Sequence, residues 1–438
     1  WDANKFVKGE VDTYYIGDDS ISKENLKEYL EQSNFSVASN GVLYRTDEVG
    51  CIPGILDLWF QKRVEYKNEM KKYGKAGNKE KYAFFHKRQL VQKILLNSLY
   101  GVLGLPAFRF YDVDNATAVT TTGQTVIKST ADMANIKYNK ELGNPDLDSN
   151  IYIDTDSVFF SAVPLMDKRT PNWKDEDQDT IAGYVNDIAE EMQDYLNDFY
   201  DILSKKIFNV DVDKHRLEIK KEYVAKAGLW IAKKRYAQWI ISDNGVPCDK
   251  LDVKGSDVKR SSFPKAFQEC MGKVLIDILR GVSEEELTEY VLDFKKNMVN
   301  RPNSEIAKNT AVKNLKKYMP KGKRVPFTTM KGTPAHVKAA IAYNDLIKHF
   351  KVPYKYSPMV NGDKVKWVYL KDNPLGLDGL AFTGYSDPPE IEEFINTYID
   401  HSKIFERELR FKLQDFYDAI GWGEMISEQK TAEKFFNF

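Results

Sequence analysis

Apolar residues recur at helical spacing between Ile55 and Tyr100. Leu56, Trp59, Phe60, Val64 and Tyr66 begin the pattern, and Phe84, Phe85, Leu90, Ile94, Leu95 and Leu99 end it. The polar stretch Lys71 to Lys81 carries Gly74 and Gly77 and predicts a turn between two antiparallel helices. Gly101 is expected to end the second. Before this region the chain is polar and broken by turn signals at Gly17-Asp18-Asp19 and Asn40-Gly41. Ser22 to Leu30 reads as a short capped helix, with Glu24 in its first turn. After it come a helix over roughly Asn115 to Tyr138 and a β-branched and aromatic run, Ile151 to Phe160, expected to be a strand. Ile181 to Tyr200 is amphipathic, with Tyr184, Ile188, Met192, Tyr195 and Phe199 on one face. Leu217 to Ile241 mixes strand-like stretches with basic residues. A shift in composition over Val253 to Pro264 reads as a domain boundary, and the rest, to about residue 425, reads as helical with loops at Asn300 to Ser304 and Met319 to Pro334.

The chain has 438 residues, enough for two or three cores. Hydrophobic content of 42% with 29% charged residues is that of a soluble globular protein. No run approaches the roughly 20 apolar residues of a membrane-spanning helix. The first residue is Trp1, so the lack of a targeting segment carries no weight. Cys51, Cys248 and Cys270 are widely spaced, which suits a reducing compartment and excludes a disulfide framework or zinc ribbon. The net charge of −1 conceals a strong asymmetry. Residues 61–93 hold eleven Lys or Arg against three Glu, whereas 175–201 hold ten Asp or Glu and no basic residue. A charged ligand feels the local field, so the basic stretch matters more than the total.

Candidate chemistry begins with Asp154 and Asp156, two carboxylates one residue apart inside an otherwise greasy segment. In a continuous strand they face one side, with Thr155 opposite. Like charges this close repel unless a cation lies between them. Mg²⁺ takes one or two carboxylates and completes its shell with water and phosphate oxygens. By itself, an Asp-Thr-Asp turn between two strands is the commoner reading. The neighbours change the balance. Lys93, Asn97, Tyr100 and Gly101 share a helical face, as do Arg63 and Lys67. Two facing helices bearing Arg, Lys and Lys make a positive cleft suited to a triphosphate. Lys233, Lys234, Arg235 and Tyr236 combine charge and an aromatic ring in the manner of a nucleic-acid contact, although a charge run of this length is usually a solvated face. Glu218 and Glu222 lie upstream as possible extra carboxylates.

In this order the segments YIDTDSVF, KILLNSLYG and KKRYA resemble motif C, motif B and the Lys-Lys-Arg-Tyr element of the family B DNA polymerases. RFYDVDNATAVTTTGQ, KRSSFPK and the final EKFFNF are similar to the T-even-type phage branch. The likeness runs from about Asn34 to Phe438. It implies an α+β fold, a polymerase right hand: antiparallel-sheet palm, two-helix fingers and mostly helical thumb, without exonuclease and N-terminal domains. The implied layout is a palm-associated segment over 1–54, fingers over 55–100, palm over 101–254, thumb over 255–430 and a clamp-binding tail over 431–438.

The resemblance also implies roles. Asp154 and Asp156 are the catalytic carboxylates that hold two Mg²⁺ ions, with Glu222 near the metal. Arg63, Lys67, Lys93, Asn97, Tyr100 and Gly101 bind the incoming dNTP. Lys233, Lys234, Arg235, Tyr236 and Lys259 contact primer–template DNA. Phe435, Phe436 and Phe438 engage a sliding clamp. The expected function is template-directed DNA synthesis in the cytoplasm of a bacterial host, from a phage-encoded protein. Two departures stand out. Ile153 occupies the usual Gly position before the first motif C aspartate. The family's motif A, Asp-x-x-Ser-Leu-Tyr-Pro-Ser, does not occur in the 438 residues and is expected just upstream of Trp1. The chain is therefore expected to be inert alone. It would be either a fragment of a longer polymerase or a subunit completed by a partner carrying motif A and exonuclease. A non-catalytic polymerase-like subunit that binds DNA and a clamp is the alternative.

Overall fold

The computed structural model describes residues 13–16, 19–320 and 325–425. The chain divides into two compact units, residues 1–222 and 223–438. Helices and antiparallel sheets are mixed throughout, an α+β protein.

The first unit opens with the hairpin β1 (Thr13–Ile16) and β2 (Asp19–Ser22), followed by α1 (Lys23–Gln32) and the hairpin β3 (Phe35–Val37) and β4 (Leu43–Arg45). Two 25-residue helices follow, α2 (Cys51–Lys75) and α3 (Lys79–Leu103). Only residues 76–78 separate them, a much tighter turn than the polar stretch suggested. Lys71, Lys72 and Lys75 are good helix formers and continue α2, while Asn78 caps α3 by accepting from the Lys81 amide at 3.0 Å. Gly101 lies inside α3, not at its end. The helix continues to Leu103, which is buried.

The spine of this unit is α4 (Val113–Leu142), capped by Asp112 and ended by Gly143 at a φ of 71°. It packs against α3, against the hairpin β5 (Asn150–Asp154) and β6 (Ser157–Phe160), and against α5 (Val163–Arg169) and α6 (Gln178–Phe208). Ala134 and Tyr138 of α4 meet Leu165 and Met166 of α5 and Ile188, Met192 and Leu196 of α6 in one core. Asn40, Tyr44 and Ser39 hydrogen-bond to the first turns of α4, which fastens the β3–β4 hairpin to the same spine.

The second unit begins with a three-stranded antiparallel sheet, β7 (Tyr223–Ala232), β8 (Arg235–Asp243) and β9 (Val246–Lys254). Its Leu229, Ala237 and Val253 share a core with α7 (Lys265–Leu279), α8 (Glu284–Asn297) and α9 (Ala335–His349). The composition shift at 253–264 is thus a connection within one core. The region beyond it is not wholly helical. β10 (Lys308–Ala311), β11 (Lys364–Tyr369) and β12 (Gly379–Phe382) form a second antiparallel sheet, before α10 (Pro389–Tyr398), α11 (His401–Phe405) and α12 (Phe411–Ala419).

Candidate active site

The segment around the paired carboxylates is a hairpin, not a single strand. Asp154 closes β5, Thr155 and Asp156 form the turn, and Ser157 opens β6 opposite Asp154. The two residues therefore lie at a reversal of the chain, and strand alternation does not govern where their side chains point. The reason is local. Asp-Thr-Asp-Ser offers four short polar side chains that satisfy a turn and nothing to bury. The Asp156 amide donates to the Asp154 carbonyl at 2.7 Å, and Ser157 Oγ donates to the same oxygen at 3.0 Å. Thr155 Oγ1 donates to Asp154 Oδ1 at 2.9 Å. Thr155 has a φ of 56°, an uncommon conformation for a β-branched residue. Such strain persists only where the surroundings impose it, and it gathers at functional turns.

Two carboxylates at a hairpin tip match the one or two that Mg²⁺ takes from a protein. Among the described residues no group of three or more His, Cys, Asp or Glu side chains is placed to share a metal ion. Glu222 thus does not join Asp154 and Asp156 in a cluster. Its charge is felt instead by Lys67.

Lys67 lies in a second concentration of charge. Its ammonium is held below the ordinary lysine range, first by partial burial and then by Arg63, Lys71 and Lys93, with Glu222 opposing. Lys67 on α2 is therefore within electrostatic reach of Lys93 on α3. Two other lysines of α2 form ion pairs, Lys62 with Glu65 and Lys72 with Glu69, each at 3.8 Å. Arg63, Lys67, Lys71 and Lys93 have no carboxylate within 4.0 Å among the described residues. Arg63 Nε is buried without a hydrogen-bond partner. A buried donor left unmade costs free energy unless a ligand or water completes it. Further along α3, Tyr100 is 44% exposed, and a Cβ built on Gly101 would meet nothing within 4 Å. The face shared by Lys93, Asn97, Tyr100 and Gly101 is open to a ligand.

In the second unit, Lys233 and Lys234 form the exposed turn between β7 and β8, with Lys234 at a φ of 62°. The two residues that follow serve the framework. Arg235 Nη2 donates to Asp415 Oδ2 on α12 at 2.8 Å, and Tyr236 is buried with its ring 6.5 Å from that of Trp230. Gly255 packs against this turn so closely that a Cβ there would lie 1.8 Å from the Lys234 carbonyl oxygen. Lys259 is exposed at the end of a short 3-10 turn.

Residues 15–171 and 184–409 match the family model described as DNA polymerase family B. The chain belongs to DNA polymerase family B. It is 29% identical over 360 residues to the DNA-directed DNA polymerase of Enterobacteria phage T4, covering 79% of this chain and 38% of that protein. The corresponding enzyme of Escherichia phage RB69 is 28% identical over 347 residues, 76% of this chain and 37% of the relative. A DNA polymerase of Thermococcus gorgonarius is 27% identical over 280 residues, 64% of this chain and 30% of the relative. The chain thus spans less than two fifths of the length of these relatives.

Within this family B chain, Lys67 lies within electrostatic reach of Arg63, Lys71 and Lys93, and Asp154 and Asp156 flank Thr155 at a hairpin turn. The structure leaves Glu222 with Lys67. It buries Tyr236 and ties the partly exposed Arg235 to Asp415, so Lys233 and Lys234 are the most exposed members of the basic run. Phe435, Phe436 and Phe438 lie outside the described residues. One residue that the sequence reading passed over is Lys71, assigned there to the turn. The signal was present, since 63, 67 and 71 continue one helical face at intervals of four. Among the described residues no helix is long and apolar enough to cross a membrane.

Proposed function

We propose that this chain is the C-terminal fingers, palm and thumb portion of a phage-type replicative DNA polymerase and serves template-directed DNA synthesis. The observation that carries this reading is the cluster of Arg63, Lys67 and Lys93, unpaired with carboxylates among the described residues. Such a cluster is poorly explained as structure, because like charges held together destabilise a fold that does not use them. As a binding site for the triphosphate of a dNTP it is readily explained. In this reading α2 and α3 are the fingers, the β5–β6 hairpin belongs to the palm, and the helices beyond about residue 255 form the thumb.

The residues then divide the work. Arg63 and Lys93 grip phosphate oxygens with fork and point charge, and Lys67 adds a cation already partly desolvated. Asn97, Tyr100 and Gly101 admit the base. Lys233, Lys234 and Lys259 hold backbone phosphates of the primer–template. The primer 3′-hydroxyl attacks the α-phosphate and pyrophosphate leaves. Catalysis rests on positioning and charge stabilisation, without a covalent enzyme intermediate. Asp154 and Asp156 would hold Mg²⁺, which when bound stabilises charge on the attacking and leaving oxygens. Two-metal chemistry needs a further bridging carboxylate, which we assign to the motif A aspartate, carried by a segment or partner outside these 438 residues. The aromatic tail with Phe435, Phe436 and Phe438 is assigned to a sliding clamp.

The test has two parts. The isolated chain is expected to bind dNTP in a Lys93-dependent way and to be inert or nearly so in primer extension. Supplying a segment with the Asp-x-x-Ser-Leu-Tyr-Pro-Ser motif is expected to yield Mg²⁺-dependent synthesis that Asp154→Asn abolishes. Failure of the wild-type chain to bind any dNTP would refute the reading. Vigorous synthesis by the chain alone would refute the need for the outside carboxylate. In the reconstituted enzyme, deleting 435–438 is expected to remove clamp stimulation only, and no change would end the clamp assignment.

A further inference from the structure

α2 and α3 enclose one seam between them. The less exposed positions fall every third or fourth residue, from 56 to 73 on α2 and from 85 to 103 on α3. A second apolar row runs one residue ahead of the first and is open to solvent. Ile55 and Leu58 precede positions 56 and 59, and Phe84, Val91 and Leu95 precede 85, 92 and 96; all five are between 37% and 55% exposed. Single exposed apolar residues are ordinary, whereas a row at heptad spacing on two neighbouring helices is not. At about 100° per residue, Leu58 stands half a turn round from Lys67, and Leu95 nearly so from Lys93. Lys67 feels the charge of Lys93, so those two side chains share one side of the hairpin and the apolar row lies on the reverse side.

The reverse side carries both signs of charge. Glu65 and Arg88 each lie one heptad beyond the apolar row, Glu65 after Leu58 and Arg88 before Leu95. Glu65 is held only by a loose ion pair with Lys62 at 3.8 Å. Arg88 lies over the Phe84 ring at 4.6 Å and has no carboxylate within 4.0 Å among the described residues. The hairpin turns at residues 76–78, which sets Glu65 level with Arg88 and Leu58 level with Leu95.

We infer that the reverse face of the α2–α3 hairpin pairs with the same face of a second copy of this chain and closes a four-helix bundle. A two-fold axis along the hairpin sets α2 of one copy antiparallel to α3 of the other. Leu58 then meets Leu95 of the second copy and Glu65 meets Arg88, each twice by symmetry. The opposite face offers Lys67, Lys71, Lys75 and Lys93, all of one sign, so two copies repel there and that face stays free. Two helices of 25 residues are about 37 Å long and together about 20 Å wide, roughly 700 Å² on each copy and about 1,400 Å² in all, the size of a specific interface.

Sedimentation velocity of the 438-residue chain over about 1–100 μM tests this, and the wild type is expected to show a monomer–dimer equilibrium in that range. Leu58→Glu and, separately, Val91→Glu are expected to weaken the dimer at least about tenfold while circular dichroism shows unchanged helix content. Glu65→Arg and Arg88→Glu should each weaken it about three- to fivefold, and the double reversal should restore it to within about twofold. A wild-type chain that stays monomeric overturns the inference. If hydrogen exchange of residues 51–62 and 88–102 then slows when a segment bearing motif A is added, that segment covers the face instead. A dimer that neither glutamate variant weakens also overturns it. Single reversals that the double variant fails to relieve overturn the pairing of α2 with α3.

Discussion

Gly255→Ala should be among the most damaging single-methyl changes in this protein, and its cost can be separated into parts. Gly255 has a φ of 64°, in the left-handed region, and a Cβ there would lie 1.8 Å from Lys234 O and 2.9 Å from Lys234 C. The first part is conformational. An L-residue held at this φ costs roughly 1–2 kcal/mol. The second is steric. The obstacle is backbone at the β7–β8 turn, so no side chain can swing aside, and overpacking of this kind costs typically about 1–3 kcal/mol and occasionally more. The sum is about 2–5 kcal/mol, a large fraction of the stability of a domain. Gly245→Ala is the matched control. Its φ is 79°, yet nothing lies within 4 Å of the added Cβ, so it should lose only the conformational part, about 1–2 kcal/mol. Urea denaturation followed by tryptophan fluorescence gives both values. The midpoint should fall for each variant with little change in slope. Since the displaced atoms belong to the turn bearing Lys233 and Lys234, DNA affinity of Gly255→Ala should also fall under conditions where it stays folded. Equal losses for the two variants would show that the close approach at Gly255 constrains nothing.

Three further outcomes are expected. Thr130 Oγ1 donates to Val126 O at 2.7 Å, so in its 2.8 Å contact with Tyr200 the phenol is the donor; Thr130→Val should strand that buried hydroxyl at a cost of about 1–3 kcal/mol, and adding Tyr200→Phe should recover much of it in thermal unfolding. Arg169 bonds Glu141 and Glu191 with two contacts each, and its guanidinium holds both carboxyls below their usual range. Stability from such depressed groups is complete above the unfolded value near about 4.3 and lost as pH falls through the folded one. Arg169→Leu should therefore cost about 1–2 kcal/mol at pH 7, discounted for solvent exposure, and the gap to wild type should close on acidification; a gap independent of pH would show that packing, not charge, explains it. Lys67 gives the opposite case, with its lysine value lowered in the folded chain. As pH rises toward about 10.4, folded Lys67 loses its proton before the unfolded chain does, so stability gains slightly while triphosphate affinity falls. An alkaline binding limb unchanged by Lys67→Arg would contradict this assignment.

How much of this was legible beforehand depends on the range of the interactions involved. Helical periodicity located α2, α3, α4 and α6, because an apolar stripe every three to four residues reports directly on a buried face. The i, i+4 spacing of Arg63 and Lys67, and of Lys93 and Asn97, sets each pair on one helical face, since helix geometry is local. The ends of elements were read less well. Gly101 looks like a stop, yet Leu103 is buried and carries α3 past it. The lysines after Met70 look like a loop, yet their backbone propensity is helical and α2 runs to Lys75. That misreading hid Lys71.

What only the tertiary structure decided are properties that depend on residues far apart in the chain. Asp154 and Asp156 flank a reversal of the chain at Thr155 that pairing of β5 with β6 creates, held by hydrogen bonds that single-strand alternation does not contain. Arg235 and Tyr236 look like nucleic-acid contacts in a basic run, but Asp415, 180 residues away, claims one, and burial beside Trp230 claims the other. Lys67 is an ordinary lysine in the sequence. Its lowered proton affinity arises when folding partly removes water from it, with Arg63, Lys71 and, least, Lys93 adding to the effect. Residue types and their spacing determine which chemistry is possible, whereas burial and partners determine which of those residues remain available to perform it.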